Sequence, residues 1–278
     1  MTIEHTPTPN QQASPRIITL TTDFGKADTY VAQMKGVIAG IAPGVRVIDG
    51  THDLPAQDIL AGAVALDSMV DAFADGTIHV AVVDPGVGSE RAAVAVRTAV
   101  FTLVGPDNGV FTLVLERHPP TAIVRLTDEA YHRVPTSATF HGRDLFAPAA
   151  AHLANGVAIE KLGEPATTLV NLNIPQPDVT ADQIVAVVLL ADRFGNLVTN
   201  LTRERYDAWL AQTHAESAKV CIKGRQIGPV RRTYADVERG DPVAYFGSSG
   251  RLELAVRNGS AADEFGPTAR VVMAVREV

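Results

Sequence analysis

Apolar positions in the first part of the chain alternate between short continuous runs and stretches with helical spacing. Residues 17–20 form a run that predicts a buried strand, and residues 30–41 carry apolar side chains along one predicted helix face. Strands alternating with helices predict an α/β domain whose mainly parallel sheet is covered on both faces. The further predicted strands are 45–48, 78–83, 92–96 and 101–104, and the further predicted helices are 58–73 and 144–155.

The pattern changes after residue 170. Residues 171–183 contain two prolines and lack apolar periodicity, which predicts a linker. Short apolar runs separated by glycines follow, as in a small antiparallel β barrel or sandwich. These predicted strands are 184–191, 197–201, 219–222, 242–246, 252–256 and 269–275. We therefore expect a flexible tail (1–15), an α/β N-terminal domain (16–170), a linker (171–183) and a β-rich C-terminal domain (184–278).

Composition narrows the class of protein. With 46% hydrophobic and 20% charged residues, the 278-residue chain is typical of a folded globular protein. Its net charge of -7 lacks the basic excess of nucleic-acid binders, so nucleic acid is not an expected partner. The single cysteine, Cys221, permits no internal disulfide and indicates a reducing compartment. No signal peptide or membrane-spanning run is evident, so we expect a cytoplasmic protein without a membrane partner.

Three predicted strands run directly into segments that carry an aspartate. These segments are TTDFG at 21–25, DPGVG at 84–88 and GPDNG at 105–109. In an open parallel sheet, ligands bind beyond the carboxyl ends of the strands. Asp, Pro and Gly are also ordinary turn residues, so a turn explains any one segment alone. The occurrence of such an aspartate segment after three different strands favours a ligand-binding crevice at that edge of the sheet.

Other polar residues sit at the ends of predicted elements. His141 precedes the helix predicted at 144–155 and is free for chemistry, whereas no second His or Cys lies nearby at a metal-ligand spacing. We therefore predict no metal site. Asp192 and Asn196 follow a predicted strand, and their side chains suit a hydroxylated or amide-like ligand, although a turn explains them equally well. Glu253 lies on a strand of alternating pattern and is expected to face solvent.

Six ordered segments together resemble one family. They are TTDFG from residue 21, DPGVGSER from 84, PDNG from 106, TFHGRD from 139, DRFGNLVTN from 192 and SSGRLELAV from 248. The chain from 16 to 278 thereby resembles the S-adenosyl-L-methionine (SAM) hydrolases, or SAM hydroxide adenosyltransferases, relatives of the bacterial fluorinase and chlorinase. The resemblance implies that water attacks the ribose C5′ of SAM to give adenosine and L-methionine, with SAM as substrate and no cofactor. It also implies a homotrimer with active sites between the N-terminal domain of one subunit and the C-terminal domain of its neighbour.

The resemblance also implies roles for individual residues. The hydrolytic branch carries an Asp, an Arg and a His that fall on Asp84, Arg91 and His141. Arg91 is expected to hold water or hydroxide, while Asp84 and His141 orient it and one of them accepts its proton. The halogenase branch lacks this set, so SAM-dependent halogenation is the second hypothesis and a non-catalytic adenosine or SAM binding module the third. The implied substrate-binding residues are Asp23, Asp84, Asp192, Asn196, Tyr234, Ser248, Ser249, Glu253 and Val256.

Two aromatic positions bear on the binding of adenosine. Tyr234 lies where relatives stack an aromatic ring on adenine. Relatives usually carry Phe or Trp near position 57, where this chain has Gln57. We therefore expect weaker packing around the adenine or ribose on that side.

Overall fold

The computed structural model describes residues 16–274. The predicted tail and the last residue of the strand predicted at 269–275 lie outside the described residues. One compact unit comprises the described residues up to 62 together with 70–170, and the other comprises 63–69 and the described residues from 171 onward. None of the helices in residues 16–274 has both the length and the apolar character that a bilayer crossing requires.

Seven strands form the sheet of the first unit. They are β1 (Ile17–Thr22), β2 (Arg46–Thr51), β3 (Ile78–Val82), β4 (Ala93–Arg97), β5 (Thr102–Pro106), β6 (Ala122–Leu126) and β7 (Gly163–Pro165). Their spatial order is β2-β1-β3-β5-β4-β6-β7. Neighbours from β2 to β5 pair in parallel, whereas β4 and β7 run against their neighbours. The predicted α/β unit with a mostly parallel sheet is confirmed.

Three α-helices belong to the first unit, and a fourth begins in it. The three are α1 (Tyr30–Ile41), α3 (Thr112–Arg117) and α4 (Ala147–Ala154), and the fourth is α2 (Ile59–Met69), whose residues 63–69 belong to the second unit. Met34 and Ile38 of α1 join Ile18 and Leu20 of β1 in one buried apolar cluster. This spacing of four residues on α1 is the helical signal that the sequence carried.

The start predicted for the helix at 144–155 is wrong. Residues 142–146 form a π-helical turn, and the regular helix α4 begins only at Ala147. Pro148 is near the start of α4 and has no N–H to donate to the carbonyl of Asp144, as a continuous α-helix would require. That carbonyl instead accepts a hydrogen bond of 2.8 Å from the backbone N–H of Arg133. The wider turn therefore follows directly after His141.

Eight strands, all in antiparallel pairs, form the second unit. They are β8 (Asp178–Val179), β9 (Gln183–Ala191), β10 (Leu197–Thr202), β11 (Lys219–Ile222), β12 (Arg225–Pro229), β13 (Pro242–Phe246), β14 (Arg251–Val256) and β15 (Arg270–Ala274). The main order is β12-β11-β15-β9-β10-β14-β13, with β8 beside β9. Just after β12, the N–H of Arg231 donates to Ala244 of β13 at 2.7 Å and nearly closes the sheet. The prediction of a small antiparallel β barrel or sandwich is confirmed, and of the two the sheet forms a nearly closed barrel.

Several elements carry little sequence signal. The predicted linker 171–183 contains β8 and the first residue of β9. The helix α5 (Arg203–Thr213) went unpredicted because Tyr206 and Trp209 are its buried residues and the rest of its surface is mainly polar. The other unpredicted elements are α3, α6 (Ala261–Phe265), β6, β7, β8 and β12.

Candidate active site

Asp84, Arg91 and His141 meet in the first unit, although three separate loops carry them. Asp84 follows the end of β3, Arg91 precedes β4, and His141 stands before the π-helical turn. The Nε of Arg91 donates to Oδ1 of Asp84 at 2.9 Å, and its Nη2 donates to Oδ2 at 2.5 Å. The same Nη2 lies 2.6 Å from Nδ1 of His141. Arg91 is therefore the central member of the cluster.

The contact with Arg91 sets the tautomer of His141. A guanidinium group has only donors, so Nδ1 of His141 must be the acceptor of this hydrogen bond. The hydrogen of the neutral imidazole is then on Nε2. Burial lowers the pKa of His141, and the nearby Arg91 cation lowers it further, while the carboxylates of Asp84 and Asp144 oppose the shift. His141 is accordingly neutral near pH 7, with an N–H donor at Nε2.

A cavity of about 150 Å³ lies beside this cluster. The ion pair next to it is nearly dry, since the side chains of Arg91 and Asp84 are only 9% and 5% exposed. The lining residues are Phe24, Tyr30, Val82, Asp84, Val87, Thr139, Phe140, His141 and Gly142. A small chamber walled by aromatic rings and closed by a charged cluster suits a reaction that needs a few ordered atoms and little water.

The segment that carries His141 is held by the buried carboxylate of Asp144. Its oxygens accept from Nε and Nη2 of Arg143, at 2.6 and 2.8 Å, and from the backbone N–H of Ser137, at 2.8 Å. Burial alone would raise the pKa of Asp144, but these hydrogen bonds outweigh it and hold the pKa below its usual value. The guanidinium of Arg143 also lies over the ring of Phe140, at 5.0 Å from the centroid. These contacts fix the position of the loop that carries His141.

Asp23 leaves the sheet at the same edge as Asp84. The parallel register of β1 and β3 sets Thr22 opposite Val82, so each aspartate follows within two residues of the paired positions. Oδ2 of Asp23 accepts a hydrogen bond of 2.7 Å from the backbone N–H of Gln57. Gln57 has a φ of +66°, a left-handed conformation that residues other than glycine rarely adopt. The backbone of Gln57 thus holds the carboxylate of Asp23.

The third aspartate at a strand end has a structural partner. Asp107 follows β5, and its Oδ1 accepts from the backbone N–H of Val170 at 2.8 Å. The next residue, Asn108, donates from Nδ2 to the carbonyl of Val83 at 2.8 Å. The PDNG segment thus supports the strand end that carries Asp84, and neither of its polar side chains lines the 150 Å³ cavity.

A second cavity, of about 760 Å³, lies in the second unit. Of the predicted binding residues, Asn196, Tyr234 and Val256 line it. The full lining is Phe194, Asn196, Thr233, Tyr234, Ala235, Val256, Arg257, Asn258 and Gly259. Sequence reasoning missed Phe194, a residue that is 76% exposed. Its position inside DRFGN, in a chain with only 5% aromatics, was the available signal.

Asp192 organises the loop that presents Phe194. Its Oδ1 accepts from the backbone N–H groups of Phe194 and Asn196, both at 2.8 Å, and its Oδ2 accepts from Nδ2 of Asn196 at 2.9 Å. Both carboxylate oxygens are therefore engaged within the loop. This is the pattern of an aspartate turn.

Glu253 is half-buried, so the expectation that it faces solvent is wrong. Tyr245 lies opposite it on the neighbouring strand and donates its hydroxyl to Oε2 of Glu253 at 2.7 Å. Burial raises the pKa of Glu253, partly offset by this hydrogen bond and reinforced by the charge of Asp192. The hydroxyls of Tyr245 and Tyr234 are also 3.1 Å apart. A polar network thus connects Glu253 to the rim of the 760 Å³ cavity.

Ser248 and Ser249 lie in the turn between β13 and β14. The backbone of this turn is closed by hydrogen bonds of 3.0 Å from Gly250 to Gly247 and from Gly247 to Arg251. Neither serine lines the 760 Å³ cavity. Their predicted role in binding substrate stays a prediction.

Two family models match most of the chain. The SAM hydroxide adenosyltransferase N-terminal domain matches residues 18–163, and the corresponding C-terminal domain matches residues 186–270. The chain is 43% identical to an (R)-S-adenosyl-L-methionine hydrolase of Thermus thermophilus, over 88% of this chain and 93% of the relative. A fluorinase of an Actinoplanes species is 26% identical, over 86% and 90%. The crystal structure of an uncharacterized conserved protein from Thermotoga maritima superposes with a TM-score of 0.85 at 30% identity, covering 92% of this chain and 99% of that one.

Proposed function

This chain belongs to the SAM hydroxide adenosyltransferase family, and on that premise we propose that it hydrolyses SAM at the cluster of Asp84, Arg91 and His141. It is an enzyme, a SAM hydrolase that forms adenosine and L-methionine. Four hydrolases match at 34–43% identity, whereas the fluorinases match at 26–27%. The observation that carries the catalytic assignment is the pair of contacts from Arg91 to Asp84 and His141.

The reaction needs an aligned nucleophile more than help for the leaving group. A C5′–O bond forms as the C5′–S bond breaks, and the bonding electron pair neutralises the sulfonium to give the thioether of methionine. The attacking water loses one proton. Orientation of the water opposite the sulfur and stabilisation of its developing negative charge are the tasks left to the protein. Arg91 supplies the positive charge for that purpose.

The contacts favour Asp84 as the proton acceptor. Nδ1 of His141 already accepts from Arg91, and Nε2 carries the hydrogen, so the neutral imidazole has no free lone pair. A carboxylate offers about four acceptor positions, and Asp84 lines the cavity while Arg91 occupies part of its oxygens. In this proposal His141 donates from Nε2 to the water oxygen, and Asp84 takes its proton.

Substrate binding divides between the two units. Phe194 and Tyr234 offer exposed rings at the 760 Å³ cavity, so we assign adenine to this cavity, with Asn196 as a polar group and Val256 as an apolar group in its lining. Asp23 binds the ribose hydroxyls through the oxygen that Gln57 does not use. Asp192 holds in place the loop that presents Phe194. The remaining predicted residues, Ser248, Ser249 and Glu253, bind the methionine end of SAM.

The proposed assembly is a homotrimer in which each active site joins the first unit of one subunit to the second unit of its neighbour. Each unit by itself carries one part of the proposed site, the nucleophile cluster or the adenine cavity. We also propose a cytoplasmic location and catalysis without a cofactor. Light scattering of the purified protein tests the assembly, and a monomer with full activity would contradict it. Retained activity in EDTA tests the independence from a metal cofactor.

Labelled water tests the reaction and its regiochemistry together. SAM incubated with the protein in H₂¹⁸O should yield adenosine carrying the label in its 5′-hydroxyl, as measured by mass spectrometry of the separated products. Label in methionine would contradict attack at C5′. Absence of both products would favour the non-catalytic binding module.

A further inference from the structure

Exposed aromatic rings are rare on this protein, and they mark its cavities. In residues 16–274, the large exposed aromatic side chains are Tyr30, Phe194 and Tyr234, at 45%, 76% and 45% exposure. Phe194 and Tyr234 line the cavity assigned to adenine. Tyr30 lines the smaller cavity beside Asp84, and the proposed mechanism gives it no role. Tyr30 does not stand alone there, since Phe24 and Phe140 line the same cavity, and a contiguous apolar patch of this kind often marks a ligand-binding surface.

Tyr30 belongs to a cluster of three rings on one wall of that chamber. Its centroid lies 5.1 Å from that of Phe140, nearly perpendicular at 89°, and 5.6 Å from that of Phe24. Phe24 and Phe140 are 5.9 Å apart. All three rings line the same 150 Å³ cavity. Their packing against one another holds Tyr30 in place without covering it.

The chamber has little other means of holding a cation. Asp84 is the single carboxylate in its lining, and the guanidinium of Arg91 already compensates that charge. The faces of aromatic rings attract cations. This cluster already does so at Phe140, where the guanidinium of Arg143 lies 5.0 Å from the centroid. In the described part of the chain, the cation–π contacts leave Tyr30 and Phe24 unused.

We propose that Tyr30, backed by Phe24, receives the positively charged sulfonium of the substrate and selects it over neutral thioethers. The inference rests on the proposed function. In that reaction the sulfonium sulfur is bonded to C5′, the carbon that water attacks from the side of Asp84. Cleavage of the C5′–S bond turns the sulfonium into a neutral thioether. The attraction therefore fades as the reaction proceeds, which makes Tyr30 a specificity residue for binding and favours release of methionine.

Initial-rate kinetics of Tyr30→Leu and Tyr30→Phe test this assignment. KM for SAM and the competitive Ki of S-adenosyl-L-homocysteine, the neutral thioether, are measured in the same assay. Tyr30→Leu should raise KM about 5- to 30-fold, while Ki changes less than about 2-fold and kcat does not fall. Tyr30→Phe keeps the ring and should retain a KM close to that of the unmodified protein. Phenylalanines with increasing fluorination at position 30 should raise KM step by step, because fluorine weakens the negative ring face.

A matched control comes from the adenine cavity. Both ligands carry adenine, so Phe194→Leu should raise KM and Ki by the same factor. Equal rises in KM and Ki for Tyr30→Leu would mean apolar packing and would overturn the inference, as would no rise in KM. A fall in kcat with unchanged KM would also overturn it. If the unmodified protein does not turn over SAM at all, the proposed function itself fails, an outcome visible before any variant is made.

Discussion

Removal of Arg91 is the most demanding test of the catalytic cluster. Arg91→Ala deletes both donors to Asp84 and the donor to Nδ1 of His141 in one step. The carboxylate of Asp84, only 5% exposed, then lacks its counter-ion. The imidazole also loses the contact that sets its tautomer. The substitution should thus affect both stability and chemistry.

The two effects have different magnitudes. Loss of one partner of a buried ion pair typically lowers the free energy of unfolding by about 3–5 kcal/mol. Arg91→Ala also removes the positive charge beside the developing negative charge and the contact that orients His141, so we expect kcat to fall by about 100- to 1,000-fold, the range typical of losing one preorganised stabilising group. Binding of SAM should survive, because Arg91 contacts Asp84 and His141 and is assigned to neither the adenosine nor the methionine end. We therefore expect a less stable protein with slow turnover and a nearly unchanged Kd for SAM.

The assay combines turnover, SAM affinity and thermal unfolding, with two companion variants. Asp84→Asn/Arg91→Gln removes both charges, so it should recover much of the stability of Arg91→Ala without recovering turnover. Arg97→Ala removes an exposed arginine, 41% accessible, that pairs with Glu160 at 3.6 Å. It should change stability by less than about 1 kcal/mol and leave turnover intact. Near-normal turnover of folded Arg91→Ala would refute the catalytic role, and equal losses of turnover and affinity would move Arg91 to substrate binding.

Three further predictions concern other parts of the protein. Fluoride or chloride added with SAM should leave adenosine as the main product, because the Nε and Nη2 donors of Arg91 that could hold a halide are already bonded to Asp84 and His141. A 5′-halonucleoside as the main product would contradict this. Burial lowers the pKa of His79 from 6.5 to about 4, so its imidazole binds a proton more tightly in the unfolded state than in the folded state. The contribution of His79 to the free energy of unfolding is therefore complete above pH 6.5 and falls by about 2–3 kcal/mol toward pH 4.5. Denaturant unfolding at both pH values should show a smaller fall for His79→Leu. Gln57→Gly should match or exceed the original stability by up to about 1 kcal/mol in the same assay, whereas Gln57→Val should lose about 1–2 kcal/mol, and the reverse order would refute backbone strain there.

The elements that were predicted correctly share a strong local pattern. The buried strand β3 is a continuous apolar run, and α1 repeats its buried residues at helical spacing. The π-helical turn at 142–146 combines a local cause, the missing N–H of Pro148, with a partner from outside the helix, since the freed carbonyl of Asp144 accepts from Arg133, eleven residues earlier in the chain. Apolar periodicity does not report a hydrogen bond between backbone groups of two separate segments. The polar helix α5 was not predicted because its local signal is weak: its buried face consists of two large side chains, Tyr206 and Trp209.

The candidate site shows the same division between local and long-range information. Residue types after strand ends indicated Asp23 and Asp84, and the family resemblance indicated Arg91 and His141. The protonation pattern of the cluster depends instead on a distance of 2.6 Å between residues 50 positions apart. That distance decides that His141 accepts from Arg91 at Nδ1, and this in turn favours Asp84 as the base. Sequence alone left these two alternatives equal, because it records which groups are present but not which lone pairs are already used.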